Sequence, residues 1–193
     1  MAKIGIDLDG TIFDFVTAFN QATMEILGIK LPAYDREYFP TRWSWAEQFL
    51  EEDQNNAVWS HILQSRTFWS NVPTFEWTKA TLNAVFNMNK HDVYFITCRT
   101  SHNTLSPVKI QSEKALKKLH VKNPTVLIAQ EHTDKSILIN GLHLDVFVDD
   151  KTDTLNLLQE ECSTTRVVCL SQPWNTDFHG EQIIDLPLFI SSL

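Results

Sequence analysis

Acidic residues close two apolar runs in this chain. Asp7 and Asp9 follow "KIGI" with only Leu8 between them, and Asp149 and Asp150 end "VFVDD". A carboxylate at the end of a buried strand is costly unless a cation or hydrogen-bond donors meet it. Several carboxylates within a few ångströms cannot all stay ionised without compensation. Mg²⁺ is a natural compensation, since it takes one or two carboxylates, waters and a substrate phosphate. Taken one pair at a time, the same acids read as a solvated loop or as helix N-caps.

Two further residues suit an anion. Thr97 ends "DVYFIT", where a hydroxyl and free backbone N–H groups can hold a phosphate oxygen. Lys135 opens the apolar helical turn of "DKSILI" and offers a point charge to phosphate. In isolation Thr97 is also an ordinary strand residue, and Lys135 a solvated lysine at a helix start.

For these groups to act together, the chain must bring them to one place. "KIGID", "DVYFIT", "TVLIA", "DVFVDD" and "RVVCL" read as buried strands. Helical patterns separate them: about Thr78 to Asn89 with Ala80, Ala84, Val85 and Met88, then a face with Ala115, Leu116 and Leu119, then "KSILI" and "TLNLLQEE". A last helical segment closes the chain. Strands alternating with helices predict an α/β fold, a Rossmann-like parallel sheet flanked by helices. In such a sheet the carboxyl ends of the strands share one edge, where ligands bind.

Residues 15–72 interrupt the alternation. Val16, Phe19, Thr23, Ile26 and Leu27 predict a helix stopped by Gly28. An aromatic stretch follows, then a helix over about Ala46 to Gln64 with Phe49, Leu50, Ala57, Val58 and Ile62 on one side, broken at "TFWSNVP". We read 15–72 as a small, mainly helical cap, and 1–14 with 73–193 as the α/β core.

At 193 residues, 43% apolar and with twelve phenylalanines, the chain can build a sizeable core. A net charge of −8 argues against an extended nucleic-acid groove, which needs a basic face. A small anionic substrate is compatible if a metal or a local cation cluster supplies the charge. The three cysteines lack metal-ligand spacing and read as reduced thiols of a cytoplasmic protein. The seven histidines show no such spacing either, and His102 and His179 read as surface loop residues. No secretory leader and no membrane span are expected. A homodimer is left open.

An acid pair, a Thr, a Lys and a second acid pair, in this order, resemble the haloacid dehalogenase-like hydrolase superfamily. The likeness covers about residues 3–14 and 78–170. It implies Asp7 as the nucleophile that accepts a phosphoryl group, and Asp9 as the general acid/base. It implies Thr97 and Lys135 on the phosphate oxygens. It also implies a Mg²⁺ site made by Asp7, the backbone carbonyl of Asp9, Asp149 and, directly or through water, Asp150.

Smaller likenesses point to the 5′(3′)-deoxyribonucleotidases and their microbial and viral relatives: "DLDGTIFDF", the aromatic clusters "YFPTRWSW" and "TFWSNVP", the spacing of "DKSILI" before "LDVFVDDKTD", and "LSQPWN". On this resemblance the chain is expected to be a Mg²⁺-dependent phosphomonoesterase acting on a nucleoside monophosphate. Bases stack on aromatic faces, and Phe15, Phe39, Trp43, Phe68 and Trp69 are the residues available for it; taken singly, each reads first as cap core. Phe15 lies closest in sequence to the acids. Cys98 and Arg99 stand where the mammalian nucleotidases have a Ser-Pro pair. They border the substrate loop, Arg99 as a further phosphate or sugar contact and Cys98 as a small buried neighbour. A phosphatase for another small ester, such as a sugar phosphate, and a non-catalytic binding module are the alternatives.

Overall fold

The computed structural model describes residues 1–32, 40–87 and 91–193. Six strands form one sheet: β1 (Lys3–Ile6), β2 (Asp92–Thr97), β3 (Thr125–Ile128), β4 (Val146–Asp149), β5 (Arg166–Leu170) and β6 (Glu181–Ile183), in the order β3-β2-β1-β4-β5-β6. Every neighbouring pair is parallel. The direction of winding reverses between β1 and β4, and a crevice opens outside the strand ends at such a point. Asp7, which follows β1 and donates its N–H to the Val148 carbonyl at 2.9 Å, and Asp149, the last residue of β4, meet there.

Side chains alternate across the sheet, as strand geometry requires. Ile4, Ile6, Phe95, Val146, Val148 and Val168 point to one face and join the larger apolar cluster. Ile96, Phe147, Val167 and Cys169 point to the other and join the smaller one. Both faces are buried, so these strands read as continuous apolar runs.

Helices α1 (Phe15–Leu27), α2 (Glu52–Gln64), α3 (Phe68–Asn71) and α4 (Thr78–Asn87) lie between β1 and β2. Asp14 caps α1 through its carboxylate, which accepts from the Thr17 N–H at 2.9 Å and the Thr17 hydroxyl at 2.6 Å. Gly28 ends α1 at φ 68°, a left-handed position that suits glycine. Instead of one helix from Ala46, a 3₁₀ turn (Trp45–Gln48) precedes α2, and Phe49 and Ala57 are exposed while Leu50, Val58 and Ile62 are buried. α4 buries Thr78, Thr81, Leu82 and Val85 and exposes Ala80. α5 (Val108–Lys118) follows β2, α6 (Asp134–Leu142) follows β3, α7 (Thr152–Glu161) follows β4, and α8 (Leu186–Ser191) follows β6. α1 packs on α2, α3 on α5, and α4 on α8. The helices of residues 15–72 share the larger apolar cluster with the sheet, through Phe19, Trp45, Val58, Ile62 and Trp69. Among the described residues no helix is long and apolar enough to cross a membrane.

Candidate active site

Lys135, in the first turn of α6, is 1% exposed and is the hub of the site. Its ammonium lies 2.6 Å from Asp7 Oδ1 and 2.6 Å from Asp149 Oδ2. Asp149 also accepts the backbone N–H groups of Asp150 (2.8 Å) and Lys151 (3.0 Å) on its other oxygen. Asp150 Oδ2 accepts from the Trp174 indole N–H at 2.7 Å, and the Asp150 carbonyl accepts from Asn175 at 2.7 Å. Gln172 donates to the Gly10 carbonyl at 2.7 Å. The "QPWN" loop after β5 therefore bonds Asp150 and the Gly10 backbone next to Asp9. Gly10 sits at φ 80°, and a methyl group there would collide with the Asp150 carboxylate. Only glycine lets the chain turn so tightly against that side chain.

Asp9 is drawn away from this cluster. Both its oxygens accept from the Arg99 guanidinium, Oδ2 from Nε at 2.7 Å and Oδ1 from Nη2 at 2.8 Å. Of the expected Mg²⁺ ligands, the carboxylates of Asp7, Asp149 and Asp150 converge, with oxygens within 4.8 Å of one another. The Asp9 side chain does not join them, so any contribution from Asp9 is left to its backbone carbonyl.

Burial pushes the Asp7 carboxyl up to about 7, against the pull of Lys135 and with the repulsion of Asp149 and Asp9. Asp150 is likewise raised by burial and then by Asp149 and Asp7. Burial opposes the charge on Lys135, but Asp149 and Asp7 together lift it above its usual range. One lysine thus faces three buried acids, and an all-oxygen donor set short of positive charge suits a hard divalent cation. The residues present fit such an ion.

Thr97 is buried at the end of β2 and lines the same cleft, as do Cys98, Arg99, Phe15, Trp43 and Trp69. The cleft holds about 120 Å³ of enclosed space, or about 580 Å³ with its open mouth counted. Burial pushes the Cys98 thiol up to about 12, so it stays protonated and is a poor nucleophile.

Phe15 stands at the centre of the aromatic wall. Near-parallel rings surround it: Trp43 at 5.9 Å, Trp59 at 5.7 Å and Trp69 at 5.8 Å between centroids. Phe15 and Trp69 are buried, whereas Trp43 and Trp59 are half-buried and keep surface to offer. Phe68 does not line the cleft; it packs edge-on against Trp69 at 5.0 Å and backs the wall. Phe39 lies outside the described residues.

Sequence reasoning missed Trp59, His132 and Lys151, all of which line the cleft. Lys151 donates to His132 Nε2 at 2.9 Å, and His132 Nδ1 meets the Thr154 hydroxyl at 2.9 Å. An ammonium only donates, so Nε2 accepts and Nδ1 carries the proton. Burial, with Lys151 and Lys135 nearby, pulls His132 down to about 4. Lys151 had a legible signal, a cation directly after an acid pair. Trp59 had none, because it reads as one more apolar residue beside Val58 and Ile62 of α2.

No family model matches the sequence, and no curated protein matches it. Solved structures do. A haloacid dehalogenase-like family hydrolase from Streptococcus pneumoniae superposes with a TM-score of 0.65 at 14% identity, covering 100% of this chain and 97% of that one. The fold is that of the haloacid dehalogenase-like hydrolases. The HAD-hydrolase YfnB from Bacillus subtilis, bound to magnesium, has a TM-score of 0.62 at 13% identity over 100% of this chain and 99% of its own. CbbY from Rhodobacter sphaeroides, in complex with xylulose-(1,5)bisphosphate, has a TM-score of 0.53 at 12% identity over 97% and 96%. The first two of these are named as hydrolases, and none of the three as a nucleotidase.

Proposed function

We propose that the chain is a Mg²⁺-dependent phosphomonoesterase working through an aspartyl phosphate on Asp7. The observation that carries this is the junction of Asp7, Lys135, Asp149 and Asp150 at the strand-end crevice of this fold, with Asp9 two residues away. Asp7, Asp149 and Asp150 would hold the ion, which supplies positive charge against the approach of an anionic ester. Asp7 attacks phosphorus, and the bond to the leaving oxygen breaks. Lys135 keeps Asp7 directed and lowers its repulsion towards the phosphate. Thr97 offers a hydroxyl to a phosphate oxygen. Asp9 is the acid/base in this reading: one of its oxygens leaves Arg99, delivers a proton to the leaving oxygen, then recovers one from the water that hydrolyses the aspartyl phosphate. Covalent catalysis divides one hard displacement into two, and fixed charges stabilise each.

Residues 15–72 serve as the cap in this reading and provide the wall that selects the substrate. A nucleoside monophosphate is the substrate class we favour, because half-buried Trp43 and Trp59 line the same cleft as Asp7 and Lys135 and a base can stack on them. A sugar phosphate is the second reading, favoured by the sugar bisphosphate carried by CbbY.

A panel of monophosphates with Mg²⁺ separates the two. Turnover of dUMP or dTMP above that of sugar phosphates is expected; turnover of sugar phosphates alone would replace the nucleotide reading. Asp7→Asn should abolish turnover of every ester while the protein remains folded. Near-normal turnover by that variant would remove the aspartyl phosphate.

A further inference from the structure

Among the described residues three cations line the cleft: Arg99, Lys135 and Lys151. Arg99 was expected to reach the substrate, yet its donors are spent inside the protein. Nε and Nη2 take both oxygens of Asp9, and Nη1 donates to the Ser112 hydroxyl at 3.1 Å and the Trp69 carbonyl at 3.4 Å. Lys135 is spent as well, with Asp7 and Asp149 both at 2.6 Å. Lys151 differs from both. Among the described residues no carboxylate pairs with its ammonium, although Asp and Glu outnumber Lys and Arg by 24 to 16 in the chain. Its partner is a neutral imidazole instead, His132 Nε2 at 2.9 Å.

That imidazole is itself held. Its Nδ1–H donates at 2.9 Å to the hydroxyl of Thr154, which is buried in the first turn of α7. The Thr154 bond fixes the ring, and the ring fixes one of the three donors of the ammonium. A carboxylate in place of His132 would hold Lys151 equally well and cancel its charge. A neutral acceptor holds the ammonium and leaves the charge free.

The site has a use for that charge. With a divalent ion in place, the ion and Lys135 together balance Asp7, Asp149 and Asp150, while Arg99 balances Asp9. A phosphate monoester brings roughly −1.5 to −2 of further charge at neutral pH. Lys151 is the cation of the cleft left to meet it. We propose that Lys151 is a substrate-binding residue that takes a phosphate oxygen, and that His132 is the positioning residue that aims its ammonium into the cleft. This rests on the phosphatase reading above and adds a second lysine to it.

Inorganic phosphate is the probe, titrated calorimetrically into the protein with Mg²⁺ present. Lys151→Gln should weaken its binding at least about tenfold, in keeping with the loss of a hydrogen bond to a charged group. Lys151→Arg keeps the charge and should recover most of that loss. Mg²⁺ titrated without phosphate supplies the control. Removing a cation from beside three acids favours the binding of another, so Lys151→Gln should bind Mg²⁺ at least as tightly as the wild type. Phosphate held equally well by Lys151→Gln would overturn the proposal. Weakening of both ligands would make Lys151 a structural residue and overturn it too. His132→Leu removes the acceptor and should weaken phosphate by less than Lys151→Gln does. His132→Gln should restore the binding, because an amide oxygen accepts from an ammonium. Unchanged binding in His132→Leu, or no rescue by His132→Gln, would take His132 out of the proposal. If the wild-type protein neither binds Mg²⁺ nor hydrolyses a phosphate ester, the phosphatase reading itself fails, a result distinct from all of these.

Discussion

At the scale of residues, the site is a problem in charge balance. Lys135 is shared between Asp7 and Asp149, so neither carboxylate has a cation to itself. His132 shows how far the surroundings bias a neighbouring group. The folded protein keeps its imidazole neutral down to about 4, where the unfolded chain takes a proton near 6.5. The unfolded state therefore binds more protons in that interval. The His132 contribution to stability is complete above pH 6.5 and is lost as pH falls towards 4. His132→Gln should make the decline in Tm between pH 6.5 and 4.5 shallower than in the wild type. The raised carboxyl of Asp7 acts in the opposite sense, losing stability as pH rises towards 7, and it is present in both proteins. Parallel Tm profiles would show that His132 is not held neutral.

At the scale of elements, β1, β2 and β4 deliver Asp7, Thr97 and Asp149 to one edge, and α1 to α3 build the wall opposite. The wall has two kinds of member. Phe15 is filler as much as surface: Phe15→Ala should cost about 3–5 kcal/mol, the usual loss for a buried phenylalanine, and lower Tm accordingly. Trp59→Ala should cost less stability and raise KM for a nucleoside monophosphate more than for a small alkyl phosphate. A KM effect of equal size on both substrates would remove Trp59 from substrate recognition.

The same elements show what was legible beforehand. Asp7, Thr97 and Asp149 could be placed because apolar runs ending in polar residues declare a strand and its end, and parallel strands share a direction. Lys135 could be placed because it opens the helix after such a strand. The closing helix is α8, whereas β6 has no legible mark, since its three residues, Glu181–Ile183, are too few to show a period of two. The pairing of Asp9 with Arg99, 90 positions apart, has no local trace at all. Nor do half-burial of Trp59 and full burial of Phe15, which depend on how α1 and α2 meet.

At the scale of the whole molecule, a net charge of −8 and a buried acidic junction lead us to expect that the folded state binds a divalent ion. A ligand that binds only the native state stabilises it by about 2.7 kcal/mol at a hundredfold excess over Kd. For a chain of this length that corresponds to a rise in Tm of roughly 5–10 °C. Mg²⁺ should produce such a rise in a thermal melt, a chelator should reverse it, and Asp149→Asn should abolish it. A Tm indifferent to Mg²⁺ in the wild type would remove the ion from this junction.

The hydrogen bond from Gln172 to the Gly10 carbonyl joins positions 162 residues apart. During synthesis the acids of the first strand leave the ribosome early, while the loop that clamps them is made near the end. At about 5–20 residues per second that interval is roughly 8–32 s. Throughout it the nascent chain carries Asp7 and Asp9 without the loop that bonds Gly10 and Asp150. Completion of the site is thus tied to completion of the chain: a protein stalled or truncated before Gln172 can possess every acid and still lack the loop that bonds Gly10 and Asp150.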